Sequence, residues 1–420
     1  MAKTPTPPTE AFGAAPHERP VPRISIHAFC EFPDSGATLQ QIGTDRRLSK
    51  AHLSVQMGGI DAALEYYHGG QTTPNLLIVE TQLHGREALE ALDRLAEVVD
   101  PSTKVVVVGR VNDVELYREL MRRGASEYLV APLTPLQLIE TISGLYSDPG
   151  ANPIGRVVAF VGARGGAGSS TLSHNVGWCI AEELHINTTI VDFDLPFGTM
   201  GLDFNEEAAQ GVGDALSAPE RLDDVLLDRL LVKRGEHLSL FTAPASLDKD
   251  VEAGPDAYEA VIHAVRQSTP CVILDLPHGW SPWIRACLLA ADDIVVVATP
   301  DLTSLRNAKS ILDLVKAARP NDSHPRLVIN QVGIPKRPEI PSKDFAETMG
   351  TDPAAIVPFD PAMFGQAANN GQMLTEVAPK APVADGVRRL ARAITGRAPA
   401  EPAKQPAPLL SFFSKGKKQA

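Results

Sequence analysis

One glycine-rich segment, residues 162–171, constrains the fold more than any other feature of this 420-residue chain. It follows the apolar run 157–161 and precedes residues 172–184, whose pattern predicts a helix. A strand, a glycine loop and a helix in this order bring backbone N–H groups and a helix N-terminus to one point, where an anion is stabilised. The segment therefore predicts an α/β fold with a phosphate site at the edge of its sheet.

Serine stands in this loop at the position where a phosphate-binding loop ordinarily carries lysine. That lysine contacts the β- and γ-phosphates, and the next hydroxyl reaches Mg²⁺. Here Ser169 takes the lysine position and Ser170 the hydroxyl position. The alternative for the loop taken alone is a turn that only lets a helix pack closely on a strand.

The loop resembles the deviant Walker A loop of the ParA/MinD ATPases, written K-G-G-x-G-K-[ST]. In that family a first lysine reaches across a dimer that sandwiches nucleotide, and Arg164 holds its position here. The resemblance implies ATP or ADP with Mg²⁺ as cofactors, held by Gly162, Arg164, Gly165, Gly166, Ala167, Gly168, Ser169, Ser170 and Thr171. Because Ser169 supplies no cation, we expect weak or absent hydrolysis, and whether the protein is an enzyme stays open.

Acidic residues follow two further apolar runs. Asp192 and Asp194 come after residues 189–191, and Asp275 ends the run that begins at residue 271. Parallel sheets bind ligands at the carboxyl ends of their strands. The resemblance implies that Asp194 positions the attacking water and that Ser170, Asp192 and Asp275 lie on the Mg²⁺ side. Each Asp taken alone could instead cap a helix.

Two later segments extend the resemblance. Asn330 matches the family residue that reads the adenine edge, and Pro358 and Asp360 lie in a segment that walls the base. Residues 361–372 resemble specifically the CpaE/TadZ branch, the pilus-assembly members of the superfamily. The resemblance covers roughly residues 22–395 and is strongest in the second half of the chain.

The first third alternates short apolar runs with helical patterns, which predicts a second parallel sheet. We expect strands at 24–29, 75–79, 104–108 and 128–130 and helices at 85–99, 113–123 and 135–145. This spacing resembles a flavodoxin-like receiver domain of response regulators. Glu80 stands at the phosphoacceptor position, Gly109 at the hydroxyl position and Ala131 at the lysine position. Because Glu80 cannot form an aspartyl phosphate, the domain is interpreted as a docking or dimerisation module.

Turn-forming and Pro-rich segments predict the domain boundaries. We expect a disordered leader (1–21), a degenerate receiver-like domain (22–146), a linker (147–153), a ParA/MinD-like domain (154–395) and a flexible Ala/Pro-rich tail (396–420). The tail ends in an apolar and basic cluster. This cluster resembles a shortened membrane-binding helix of MinD, and a disordered end is the alternative we favour.

Charge and cysteine content restrict the functional class. A net charge of −12 argues against nucleic-acid binding. The four cysteines are far apart and form no CxxC pair, which favours a reducing compartment over a metal or disulfide site. The leader has no apolar core, so it is predicted to be neither signal peptide nor membrane span.

The resemblance to the CpaE/TadZ branch implies a polar localisation and assembly factor for a type IVb (Flp/Tad) pilus. The resemblance implies a dimerising cytoplasmic scaffold at a cell pole, with a pilus secretion ATPase, other Tad components and a polar landmark protein as partners and with peripheral contact to the inner membrane. The alternative is an active MinD/ParA-type ATPase that cycles between monomer and dimer. A DNA-partitioning ParA is the least favoured hypothesis, because the chain is acidic and lacks a helix-turn-helix pattern.

Overall fold

The computed structural model describes residues 20–146, 154–206, 208, 210–244 and 251–396. Of the predicted flanking segments, residues 1–19, the linker 147–153 and residues 397–420 lie outside the described residues. The described chain contains two α/β sheets, one of five and one of eight strands. The predicted fold class is confirmed.

The first sheet has five parallel strands in the order β2-β1-β3-β4-β5, the flavodoxin-like order. Helices cover both faces, so its central strands are continuous apolar runs. The elements are β1 (Ser25–Cys30), α1 (Pro33–Ile42), β2 (His52–Met57), α2 (Gly59–His68), β3 (Leu76–Glu80), α3 (Gly85–Val98), β4 (Lys104–Gly109), α4 (Val114–Arg122), β5 (Glu127–Val130) and α5 (Pro135–Leu145).

The second sheet has eight strands in the order β13-β12-β11-β6-β10-β7-β9-β8, and only β8 runs antiparallel to its neighbour within the described chain. Its elements are β6 (Arg156–Gly162), α6 (Ser169–Trp178), β7 (Thr188–Asp192), α7 (Met200–Asp203), α8 (Val212–Ser217), α9 (Asp224–Leu230), β8 (Val232–Lys233), β9 (Leu238–Phe241), α10 (Pro255–Ser268), β10 (Cys271–Leu276), α11 (Pro282–Ala290), β11 (Asp293–Ala298), α12 (Leu302–Ala318), β12 (Arg326–Val332), α13 (Ser342–Met349), β13 (Ala355–Pro358), α14 (Pro361–Asn370), α15 (Leu374–Val377) and α16 (Pro382–Thr395).

The strand order brings the predicted site to one edge of the second sheet. β6 lies between β10 and β11, and β7 pairs with the far side of β10. Because these strands are parallel, the loops that follow them meet at the carboxyl edge, where open α/β sheets bind ligands. The glycine loop and the acidic residues after β7 and β10 therefore share this edge.

The two domains meet at the opposite edge through buried ion pairs. A short turn between α1 and β2 carries Arg46 and Arg47, whose guanidinium groups lie 2.9 Å from the carboxylate oxygens of Asp322. Arg46 also lies 3.3 Å from Asp292, just before β11. Since Arg47 and Asp322 are nearly inaccessible, this contact fixes the first domain against the second.

No helix in the described ranges is long and apolar enough to cross a membrane. All four cysteines are buried as free thiols.

Candidate nucleotide site

The glycine loop joins β6 to α6 and forms the floor of an open cleft of about 510 Å³. Gly166 and Gly168 have φ values of 73° and 87°, which glycine adopts readily. The cleft is lined by Gly162, Arg164, Gly165, Gly166, Ala167, Gly168, Ser169, Ser170, Thr171, Asp194, Pro196, Phe197, Leu276, Pro277 and His278. The structure thus brings every loop residue predicted from the sequence together with Asp194.

The end of β12 braces this loop. The Asn330 amide donates a hydrogen bond to the Ala167 carbonyl oxygen at 2.8 Å, and Gln331 donates to the Gly166 carbonyl oxygen at 2.8 Å. A Cβ on Gly168 would lie 2.5 Å from the Asn330 amide nitrogen. Glycine at 168 is therefore required for the loop and Asn330 to approach one another.

A second, smaller cavity of about 220 Å³ adjoins the cleft. It shares Gly168 and Thr171 with the cleft and is otherwise lined by Asn330, Gln331, Pro358, Phe359, Asp360, Pro361 and Phe364. The Asp360 carboxylate also accepts a hydrogen bond from the Met363 amide at 3.0 Å and so caps α14. The predicted base-binding residues therefore lie together beside the predicted phosphate-binding residues.

Unpartnered polar atoms in these cavities fit a nucleotide. Ser169 Oγ and Asn330 Oδ1 are buried and have no hydrogen-bond partner among the described residues. Ser169 Oγ lies in the loop, where its hydroxyl could donate a hydrogen bond to a phosphate. Asn330 Oδ1 can accept a hydrogen bond from an amino group. Because unpaired buried polar groups are costly, both atoms favour a ligand that satisfies them.

Beside the loop, a buried histidine, His174, contacts a cluster of carboxylates. His174 Nδ1 lies 2.7 Å from the Asp203 carboxylate, and Nε2 lies 3.4 Å from that of Asp275. His174, Asp192 and Asp275 each offer a ligand atom within 4.8 Å of the others. Burial alone would lower the pKa of His174, but the bonds and charges of Asp203 and Asp275 outweigh it and raise the pKa to about 10.

The carboxylates of this cluster differ in their access to the cleft. Asp192 is fully buried, and its burial together with the nearby Asp275 charge raises its pKa to about 7. Its oxygens accept hydrogen bonds from the backbone N–H groups of Asp194 and Met200. Of the predicted metal ligands, Ser170 lines the cleft, whereas Asp192 and Asp275 are buried and do not line it.

If Mg²⁺ accompanies a nucleotide, Ser170 is the predicted ligand that lines the cleft, whereas Asp275, whose Oδ1 has no hydrogen-bond partner among the described residues, would act from the buried side. The ion would supply positive charge at the phosphate oxygens. His174 was not anticipated from the sequence, because its partners lie 29 and 101 residues away along the chain. A lone histidine in a helix carries no signal of such partners.

Arg164 lies at the rim of the cleft. Its guanidinium is 3.3 Å from the Asp301 carboxylate, which caps the N-terminus of α12, and about half of the side chain is exposed. An exposed pair of this kind contributes little stability, about 0–1 kcal/mol. Breaking the pair with Asp301 would therefore cost little stability, and Arg164 is available to contact a partner.

In the first domain, Glu80 closes the position that a phosphoacceptor would occupy. Its carboxylate accepts hydrogen bonds from the Glu31 and Phe32 amides and from the Ser35 hydroxyl, at 2.8–3.1 Å. These groups form the N-terminus of α1, so the Glu80 charge is held by the helix itself. A Cβ on Gly109 would collide with the Tyr128 hydroxyl, so a hydroxyl-bearing residue at this position would require Tyr128 to move.

Comparisons with known proteins agree with this geometry. The family model described as cellulose biosynthesis protein BcsQ matches residues 156–392. A crystal structure of the pilus assembly protein CpaE from Caulobacter crescentus is 52% identical in sequence, over 31% of this chain and 98% of that chain, with a TM-score of 0.30.

A ParA family ATPase from Chlorobium tepidum is 28% identical, over 56% of this chain and 98% of that chain, with a TM-score of 0.52. MinD from Bacillus subtilis is 25% identical, over 58% of this chain and 90% of that protein. The resemblance predicted from the sequence, to CpaE-type proteins of the ParA/MinD superfamily, is confirmed.

Proposed function

The chain belongs to the family described as cellulose biosynthesis protein BcsQ, and we propose that it serves pilus assembly as a scaffold with the fold of a ParA/MinD ATPase. In this proposal it is a polar localisation and assembly factor for a type IVb (Flp/Tad) pilus. It dimerises, binds nucleotide weakly and hydrolyses it slowly or not at all.

The replacement of the loop lysine by Ser169 carries the proposal. The cleft, the brace from Asn330 and the water-positioning candidate Asp194 are all present, so the site retains its shape. A serine hydroxyl is neutral, so it cannot stabilise the negative charge that develops on the transferred phosphoryl group as a lysine would. Losing one such stabilising group costs about 3 kcal/mol, which slows turnover by at least about 100-fold.

The pilus assignment is supported by sequence. The segment that resembles the CpaE/TadZ branch, residues 361–372, forms α14 and the turn that follows it, beside the base cavity. The relative with the highest identity among those described above is named as a pilus assembly protein. A pilus secretion ATPase and other Tad components are accordingly the proposed partners, with a polar landmark protein recruiting the chain to the pole.

The dimer is proposed to form across the cleft, with Arg164 reaching the partner copy. A planar guanidinium suits contacts with phosphate or carboxylate groups. Exposed apolar side chains surround this edge: Phe197 is 73% exposed and Leu302 is 73% exposed. A second copy docked here would cover them.

Restoration of pili in a strain that lacks the protein tests the proposal. Asp194→Asn keeps the carbonyl oxygen that accepts from the Phe197 amide but removes the charge proposed to position water. A scaffold predicts that full-length Asp194→Asn restores pili, whereas Arg164→Ala does not, because the dimer is weakened. The exposed Arg229, on α9, provides a control substitution to alanine. Loss of pili in Asp194→Asn with normal protein levels would instead favour the cycling ATPase.

A further inference from the structure

We propose that His278 supplies the phosphate contact that Ser169 cannot make, so that the cleft binds the β- and γ-phosphates of a nucleoside di- or triphosphate through an imidazole on the loop after β10. This inference rests on the proposed nucleotide cleft and identifies a binding residue for it. His278 enters the cleft from the loop after β10, whereas the lysine position, Ser169, lies in the loop after β6.

The ring of His278 is fixed against the glycine loop. His278 Nδ1 lies 3.1 Å from the Gly162 carbonyl oxygen, and because a carbonyl only accepts, Nδ1 carries the proton. The Cδ2 edge lies 3.8 Å from the point where a Cβ on Gly165 would stand.

Nε2 is the free end of this ring. Within the described part of the chain it has no hydrogen-bond partner, and His278 is itself an exposed residue of the cleft lining. An imidazole whose first nitrogen is committed to the backbone presents its second nitrogen in a defined direction. Nε2 donates to a phosphate oxygen when it too carries a proton, and the ring then supplies the positive charge that Ser169 lacks.

Few side chains of the cleft lining can supply a positive charge to a phosphate. Among the described residues that line it, Arg164 and His278 are the side chains that can carry positive charge, and Asp194 carries the opposite charge. Arg164 is turned to the rim by its pair with Asp301. Of these two side chains, His278 is therefore the one held against the loop, through its hydrogen bond to the Gly162 carbonyl oxygen.

Calorimetric titration of the full-length chain with ATP, ADP and AMP tests the inference. His278→Ala should weaken ATP and ADP binding at least about tenfold and AMP binding less than about twofold, because a charge-assisted contact to the outer phosphates is lost. His278→Asn separates two roles, since its amide can still donate to Gly162 but cannot reach further. It should weaken ATP binding as His278→Ala does.

A Ser169→Lys background completes a double-mutant cycle. With lysine present, His278→Ala should cost less than about threefold, because both groups serve the same phosphates. The exposed His324, after α12, is the matched control, and His324→Ala should leave all three affinities unchanged.

Wild-type affinity for ATP in His278→Asn or in His278→Ala would overturn the inference, and so would equal losses for ATP and AMP. If ATP binds only after Ser169→Lys, His278 does not replace the lysine, although the cleft is still a nucleotide site. If ATP binds neither chain, the nucleotide-binding part of the proposed function fails as well.

Discussion

His174 illustrates how one buried side chain sets the electrostatics of this site. It lies among three carboxylates, Asp192, Asp203 and Asp275, and is itself inaccessible to solvent. Buried carboxylates without a counter-charge would be strongly destabilising. A protonated His174 therefore stabilises the folded second domain, whatever the cleft binds.

The raised pKa of His174 predicts that stability falls at alkaline pH. The pKa is about 10 in the folded protein and 6.5 in the unfolded chain, so the stabilisation is complete below pH 6.5 and is lost as pH rises through about 10. The raised pKa of Asp192 acts in the same direction between 3.8 and about 7. Denaturant titrations should show the unfolding free energy dropping by about 4 kcal/mol between pH 6.5 and pH 10.

His174→Gln removes the titrating group and should flatten this profile while lowering stability at pH 6.5. The exposed His324 serves as control, and His324→Gln should keep the wild-type profile. A wild-type stability that stays level up to pH 10 would refute a protonated His174.

The positions of single residues were predictable from sequence when they depend on local spacing. The loop residues, Arg164 and Asn330 occupy positions that follow from a strand, a glycine loop and a helix in order, and the structure places them at one cleft or its rim. His174 and His278 were missed. Their roles arise from partners brought close by the sheet, and a single histidine gives no periodic or spacing signal.

At the scale of elements, apolar runs predicted buried strands well and exposed ones poorly. β3 and β10 are entirely buried and follow the predicted runs closely. β2 (His52–Met57) was not predicted. It is an edge strand with only half-buried or exposed side chains, and although Leu53, Val55 and Met57 alternate with polar residues, it contains no continuous apolar run. The helix predicted over residues 172–184 begins earlier, at Ser169, and its last turns are a π-helix from Cys179 to Glu183.

The turn that joins α1 to β2 has a role that its sequence did not indicate. Burial by itself would raise the pKa of Asp322, but Arg46, Arg319 and Arg47 outweigh it and hold the pKa below its ordinary value. The Asp322 carboxylate thus pairs with arginines of both domains, Arg46 and Arg47 of the first and Arg319 of the second. The contact lies at the amino-terminal edge of the second sheet, away from the cleft.

Asp322→Asn should separate the unfolding of the two domains. The substitution leaves buried arginines without their shared counter-charge, at a cost of about 3–5 kcal/mol. Calorimetry should then show two resolved transitions in place of one, and small-angle scattering a larger radius of gyration. Asp313→Asn, on the exposed face of α12, breaks only a surface pair with Lys309 and should change neither readout. A single transition in Asp322→Asn would mean that the interface does not couple the domains.

At the scale of the whole molecule, the two domains have separate cores, with apolar clusters on both faces of each sheet. The first domain retains a receiver-like shell in which Glu80 already fills the acceptor position. With the phosphoacceptor position filled in this way, the domain can act through its surface. We expect this domain to recognise the polar landmark, and the second domain to dimerise and hold the pilus proteins.

Fluorescent fusions of the two halves test this division. Residues 1–150 should form a focus at the pole, and residues 151–420 should be diffuse, because the second half lacks the surface that recognises the landmark. Thermal denaturation of each purified half is the control for folding. A focused second half with a diffuse first half would reverse the assignment.

Steady-state ATP hydrolysis by the purified full-length protein, with Mg²⁺ present, tests the central claim most directly. Because Ser169 supplies no charge at the phosphates, the account predicts a rate indistinguishable from that of Asp194→Asn measured alongside. A wild-type rate clearly above this blank, and lost in Asp194→Asn, would contradict the scaffold and identify a working ATPase.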